Sequence, residues 1–297
     1  MPGLINLNLE DSIPHDSGGP SPYPVVDLPC LRVLHISSCV DALTTALHYI
    51  TFPSSIVLNL TCKETQATSI DFLKFLSVLA TKFLSSLVIR SLSLQDFFST
   101  VVTQNGLRFL VWTTATRDFF LLDFPSPPQL KLGLTWPTSS PPHRVENNAK
   151  ALTAVFDDMN LFTLTQLHLS TPDCIDSQIW LETFGKLPQL KWVDVFGGDT
   201  AQSFLGALVY KTEAADKSKS AYRNVSFPKL RHINLQGIDF AKTNLVSIDM
   251  LMDCLMERYE RNAEIQMLRL MTCCILKKDV ERLEEIVVDV IWEGHSD

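Results

Sequence analysis

With 297 residues, 46% of them hydrophobic and 20% charged, the chain can bury a sizeable core and has room for two average domains or one elongated array. A net charge of −8 excludes a nucleic-acid binder built on a broad basic face, which needs clustered Lys and Arg to neutralise phosphate. Seven scattered cysteines without a CxxC pair read as free thiols of a reducing compartment, and the apolar runs are too short to cross a bilayer. The expectation is an intracellular protein, cytoplasmic or nuclear, with no membrane and no nucleic-acid partner.

The chain opens on Pro2-x-Leu4-x-x-Leu7-x-Leu9, a loop proline followed by leucines. The last two alternate and so share one face of a short strand. A loop rich in Pro, Ser and Gly leads to a second copy, Pro29-x-Leu31-x-x-Leu34-x-Ile36. Asp41 predicts a capped helix through Ile50, and Ile56-x-Leu58-x-Leu60 predicts the next strand. Ser69 stands where an N-cap belongs, and Phe72, Phe75, Leu76, Leu79 and Phe83 then mark one face of a longer helix.

From Ile89 to Trp136 the figures Ile89-x-x-Leu92-x-Leu94, Leu107-x-x-Leu110-x-Trp112 and Leu130-x-Leu132-x-Leu134 predict strands. A short helix is expected over Gln95 to Gln104, a turn at Asn105-Gly106 and extended chain from Val111 to Phe124, which leaves a locally antiparallel arrangement open. Prolines over residues 137–143 suggest a surface loop or joint within one 1–297 domain.

The second half is more regular. Leu152, Val155, Phe156 and Met159 give a helical face before the strand figure Leu164-x-x-Leu167-x-Leu169. Thr171-Pro172 is a helix start, followed by Pro188-x-Leu190-x-x-Val193-x-Val195 and a helix from Asp199 to Lys211. After Pro228-x-Leu230-x-x-Ile233-x-Leu235 come a helix carrying Ile248, Leu251, Met252, Leu255 and Tyr259, then the figure Ile265-x-x-Leu268-x-Leu270. A final helix is expected to turn Leu283, Ile286, Val287, Val290 and Ile291 inward. Lys211, Lys217, Lys219, Arg223, Lys229 and Arg231 are interrupted by Glu213 and Asp216 and read as a solvated loop.

The strand figures recur at steps of about 18 to about 40 residues, the range of repeat proteins. Strand, helix, strand in short order predicts an α/β fold, a curved and mostly parallel sheet with helices on its outer face, irregular near the middle. Leu4, Leu7, Leu34, Leu167, Leu190, Leu230, Leu235 and Leu268 are expected to be buried between sheet and helices. Two cysteines extend the figure to L-x-x-L-x-L-x-x-C, at Cys39 and Cys273, where that residue supports the turn after the strand in leucine-rich repeats.

Signals for chemistry are few. His15 to Pro20 contains the Asp-Ser-Gly-Gly-Pro string of trypsin-like proteases, but a glycine is needed where His15 stands, and only fourteen residues precede it for the other triad members. Turn residues explain it better. The histidines form no HExxH or His-x-His pair, and no phosphate-cradling glycine motif occurs. No catalytic residue, metal or cofactor is therefore predicted.

The stretches Met1 to Leu9, Leu28 to Ile36, Phe227-Pro228-Lys229-Leu230 and the ending from Leu251 to Gly294 carry a resemblance that spans nearly the full chain. The chain resembles the leucine-rich-repeat-like C-terminal region of fungal F-box proteins. The resemblance implies a horseshoe-like solenoid that recognises protein targets for a cullin-type ubiquitin ligase. The family's helical F-box module is not read in this sequence, so binding of the ligase adaptor is expected only where that module is restored. The alternatives are a hydrolase with a dispersed catalytic site and a truncated, non-functional family member.

In each strand figure the residues between the leucines point away from them and line the open face of the sheet. On the second-half strands these are Gln166 and His168, Trp192, Asp194 and Phe196, His232, Asn234 and Gln236, and Met267, Arg269 and Met271. Aromatic, Met and Arg side chains on a wet face are the residue types that anchor interfaces. A protein-binding surface is predicted there, with Trp192, Phe196 and Arg269 as anchors.

Overall fold

The computed structural model describes residues 3–12, 24–63, 69–99, 104–115, 127–137, 152–153, 155–156, 159–170, 175–209, 225–241 and 246–293. The chain divides into two compact units, Met1–Leu161 and Phe162–Asp297, each an α/β unit. Of the joint expected over residues 137–143, all but Pro137 lies outside the described residues.

In the first unit β1 (Asn6–Glu10), β3 (Val33–Ser38), β5 (Val57–Lys63) and β8 (Leu130–Pro137) pair side by side in parallel. Beyond β8 the sheet turns antiparallel through β7 (Gln104–Trp112) to β6 (Ser91–Ser99). Two short strands, β2 (Val26–Asp27) and β4 (Ile50–Thr51), form a separate parallel pair. Helices Val40–Tyr49 and Ser69–Lys82 lie in the crossovers. Phe75, Leu76, Leu79 and Phe83 are buried, as their helical spacing requires.

The second unit is a plain ladder. Its strands are β9 (Gln166–Ser170), β10 (Trp192–Phe196), β11 (His232–Gln236), β12 (Met267–Met271) and β13 (Asp289–Glu293). They pair in chain order and all in parallel. Between them run Ser177–Ile179 continued by the wider turn Trp180–Phe184, then helices Gly198–Val209, Ile248–Glu260 and Lys277–Glu284. Leu167, Leu190, Val193, Leu230, Ile233, Leu235 and Leu268 are buried on the helix side.

The recurring sequence figure has a backbone cause. In Leu28-Pro29-Cys30-Leu31 and in Phe227-Pro228-Lys229-Leu230 the last N–H donates to the first carbonyl at 3.1 Å. Each is a β-turn with proline at its second position, where the fixed φ of the ring is already right. At the strand start, one carbonyl then takes two N–H groups from the next repeat. The Ile5 carbonyl accepts from Arg32 and Val33, that of Thr165 from Lys191 and Trp192, that of Lys191 from Arg231 and His232, and that of Arg231 from Gln266 and Met267.

At the strand exit the chain turns through a left-handed residue: Asp11 after β1, Gly197 after β10, Gly237 after β11 and Thr272 after β12, with φ of 45°, 89°, 66° and 49°. Gly197 then donates to the Gln236 carbonyl and Gly237 to that of Met271, at 2.9 and 3.0 Å. Just past the third of these ladder turns, the Cys273 thiol donates to the carbonyls of Leu235 and Met271, both at 3.4 Å. Burial raises its pKa, so it stays a protonated donor, the turn-supporting role expected of that position. Cys39 takes the corresponding place after β3, at the N-cap of helix Val40–Tyr49.

Inside the second unit Trp180 meets Phe184, Phe204 and Phe227 at ring-centroid distances of 5.6, 4.8 and 6.2 Å. Phe227 holds a left-handed φ of 54° to reach this cluster. Its carbonyl is bound by the Arg258 guanidinium at 3.0 Å, which also donates to the carbonyls of Ser226 at 2.8 Å and Ala263 at 3.1 Å. Arg258 is 1% exposed, and burial lowers its pKa to about 10, so it remains a cation at neutral pH.

Several expectations change. The described residues of Gln95 to Gln104 are extended instead of helical: Gln95 to Ser99 ends β6 and Gln104 begins β7, and Asn105 and Gly106 pair with Phe98 and Phe97 inside that hairpin instead of turning it. Cross-strand pairing of an apolar hairpin outweighs the weak local helical pattern. The expected final helix stops at Glu284, and Val290 and Ile291 lie on β13, because the β-branched run from Ile286 to Ile291 favours a strand. Tyr259 is 63% exposed, since it falls one position past the buried Arg258 on its helix. Leu4 and Leu7 are only half-buried, because β1 stands at the edge of its sheet. Thr171-Pro172 lies outside the described residues, and the described helix start is Asp176, whose carboxylate accepts from the Ile179 N–H at 2.8 Å.

Two outcomes follow for stability. A β-branched residue in the left-handed region carries strain of about 1–3 kcal/mol, and glycine's extra unfolded-chain entropy returns only about 0.5–1 kcal/mol of that. Thr272→Gly is therefore expected to stabilise the protein by about 1 kcal/mol, read as a raised urea midpoint. Arg258→Met strands three carbonyls and is expected to cost about 2–5 kcal/mol. An unmoved melting transition in that variant would show that the guanidinium holds nothing.

Candidate interaction surface

Side chains alternate along β9 to β12, so the residues between the buried leucines stand on the opposite face of the second unit's sheet. The parallel registers arrange them in rungs. One rung runs Gln166, Trp192, His232, Met267 and Asp289; the next runs His168, Asp194, Asn234, Arg269 and Ile291. Phe196, Gln236, Met271 and Glu293 form the third.

The first rung is an aromatic platform. The Trp192 and His232 rings stack with centroids 4.8 Å apart and planes at 20°. Both are half-buried. The Trp192 Nε1–H donates to Asp194 Oδ1 at 2.8 Å, which fixes the indole over the middle rung. His232 has its pKa lowered by burial, an effect opposed by a hydrogen bond from its ring to the Lys191 backbone and reinforced by the charges of Arg231 and Lys191.

The middle rung is buried at its centre. Asp194 and Asn234 are 1% and 0% exposed. The sequence places both among the contact residues of an open face; the structure corrects this, because Asp194 lies beneath the indole that donates to it and Asn234 sits between Asp194 and Arg269 at the centre of the ladder. They support the surface from below. His168 continues this rung on β9 with Nδ1 turned away from solvent, and burial lowers its pKa to about 4. Arg269 closes the rung from β12, its guanidinium 3.6 Å from the Glu293 carboxylate.

The third rung is the most open. Phe196 is 45% exposed, and its ring lies over Gly237, where an added Cβ would come within 3.4 Å of the ring edge. A side chain there would push the phenyl group away. Gln236, Met267 and Met271 are half-buried. The predicted anchors Trp192, Phe196 and Arg269 thus do share one face, as the strand pattern requires.

Sequence reasoning passes over the residues at the strand starts. Lys191 and Arg231 stand one position before Trp192 and His232, and the doublets Lys-Trp and Arg-His at matching places of two repeats are the signal that marks them. Of the basic stretch read as a loop, Lys229 and Arg231 belong to this turn and strand start, whereas Lys211, Lys217, Lys219 and Arg223 lie outside the described residues. The Asp-Ser-Gly-Gly-Pro string also lies outside them. Among the described residues no group of three His, Cys, Asp or Glu could hold a metal ion, and no helix is long and apolar enough to cross a membrane.

The ladder makes a pH-dependent contribution. His168 takes a proton near pH 6.5 when unfolded but only near pH 4 when folded. The unfolded chain therefore binds the extra proton between these values, so stability is full above pH 6.5 and falls as the pH drops toward 4, by about 3 kcal/mol in all. His168→Gln is expected to flatten that part of a stability-against-pH curve measured by urea unfolding.

Compared with protein-family models, with curated proteins and with solved structures, the chain matches none.

Proposed function

We propose that this chain is a non-catalytic protein-interaction scaffold, a solenoid of the leucine-rich-repeat kind that offers the open face of its second unit to a protein partner. The observation that carries the reading is an exposed Phe196 on the same sheet face as the half-exposed Trp192–His232 stack, with the polar centre of the rung between them, Asp194 and Asn234, already buried. Rigid aromatics held from below lose little side-chain entropy on binding, which is what interface anchors require. The shared turn, strand start and left-handed exit of successive strands support the repeat reading. By its resemblance, the scaffold would be the target-recognition part of a ubiquitin ligase F-box protein, reaching the ligase adaptor through an F-box module. The six described cysteines are free thiols, which suits a cytoplasmic or nuclear setting.

The test is truncation of the anchors. With a partner identified by photocrosslinking from position 196, Trp192→Ala, Phe196→Ala and Arg269→Ala are each expected to weaken binding by about 1–2 kcal/mol, as hot-spot truncations do. The far-ultraviolet circular dichroism spectrum should stay unchanged. Unaltered affinity in all three variants would move the binding site elsewhere. Stoichiometric labelling by a fluorophosphonate probe, lost on replacing a single serine, would replace the scaffold reading with a hydrolase.

A further inference from the structure

The strand starts of the second unit hold cations that meet no carboxylate among the described residues. The Lys191 carbonyl accepts the N–H groups of both Arg231 and His232 at 3.0 Å, so Lys191 and Arg231 begin neighbouring strands, roughly one strand spacing of 4.8 Å apart. Among the described residues neither takes part in an ion pair. The Arg231 guanidinium donates, among the described residues, only to the backbone carbonyls of Leu230 and Glu264, and Lys229 reaches the neutral Gln189 Oε1 at 3.2 Å. Lys63, Arg261, Arg269, Lys277 and Arg282 are all in ion pairs. The whole chain carries a net charge of −8, which makes uncompensated cations side by side a local reversal of its field.

The aromatic platform adjoins them on the next rung. Lys191 and Arg231 both act on the His232 ring, so their field reaches the platform. The carboxylates around it do not cancel that field at the rim. Asp194 lies beneath Trp192 and accepts from the indole, Glu264 meets Arg231 through its backbone carbonyl, and Asp289 is two strands beyond His232.

Resting on the scaffold reading, we propose that the partner segment recognised here is acidic. An extended Asp/Glu-rich peptide sets carboxylates on Lys191, Arg231 and Lys229 and lays an apolar or aromatic side chain on the Trp192–His232 stack. Nucleic acid fits less well, because the cations form a short rim and not a broad basic face on an acidic chain.

The experiment uses the full chain and fluorescence anisotropy of short fluorescein-labelled probes: a glutamate-rich peptide with one phenylalanine, the same peptide with glutamine for every glutamate, its lysine counterpart, and a single-stranded RNA. The acidic peptide is expected to bind roughly tenfold tighter than the glutamine peptide at low salt, with the margin shrinking as salt rises. The double variant Lys191→Glu/Arg231→Glu should abolish that margin at an unchanged melting temperature. If the charge reversal melts early, Lys191→Gln/Arg231→Gln carries the same expectation. Equal binding of the glutamine peptide, tighter binding of the lysine peptide or the RNA, or a margin that survives both double variants overturns the proposal. Where the glutamine peptide binds as well and Trp192→Ala releases it, the face remains an interaction surface and only its acidic preference falls. Where Trp192→Ala releases none of the probes, the scaffold reading falls with it.

Discussion

A buried guanidinium holds the second unit in register. Among the described residues Arg258 meets no carboxylate; instead it gathers three backbone carbonyls, one leading out of its own helix and two at the turn before β11. Lysine could not replace it, because only a planar fork can reach three acceptors in different directions. The bonds land on Ser226 and Phe227, the segment that must adopt a left-handed φ to seat its ring against Trp180. Charge, backbone strain and aromatic packing therefore meet within a few residues. That junction sets where His232 begins its strand and so where the open face begins.

The open face follows the same economy of parts. Asp194 and Asn234 are the residues a reader of the sequence would offer to a ligand, since carboxylate and amide are recognition groups. In the fold they lie beneath the surface. Asp194 instead orients the indole of Trp192, which in turn stacks on His232. The side chains left at the surface are then the aromatic ones, and the indole of Trp192 is positioned by the polar group below it.

Much of this architecture is legible in the residues, and the reason is the period of two. Where leucines alternate between turn signals on inner strands, as at Leu34 and Ile36 or Leu268 and Leu270, a strand forms and those side chains are buried, whereas Leu7 on edge strand β1 is only half-buried. Legibility fails where pairing decides. Gln95 to Ser99 is locally as good a helix as a strand, and only its antiparallel partner on β7 settles the matter. The last strand is hidden for a related reason: Leu283, Ile286 and Val287 keep helical spacing up to the point where β-branched residues take over. Burial of Asp194 and Asn234 cannot be read from alternation at all, since alternation assigns a face and not a depth.

Strands β10, β11 and β12 are pinned at both ends by main-chain groups: a shared carbonyl where each begins and a left-handed residue where it leaves. Side chains on the outer rungs carry none of that duty. The proposed recognition surface and the pinning of the strands thus draw on different groups of the chain, and selection can revise one without disturbing the other. A lineage could change what this surface greets, one rung at a time, while every strand kept its place.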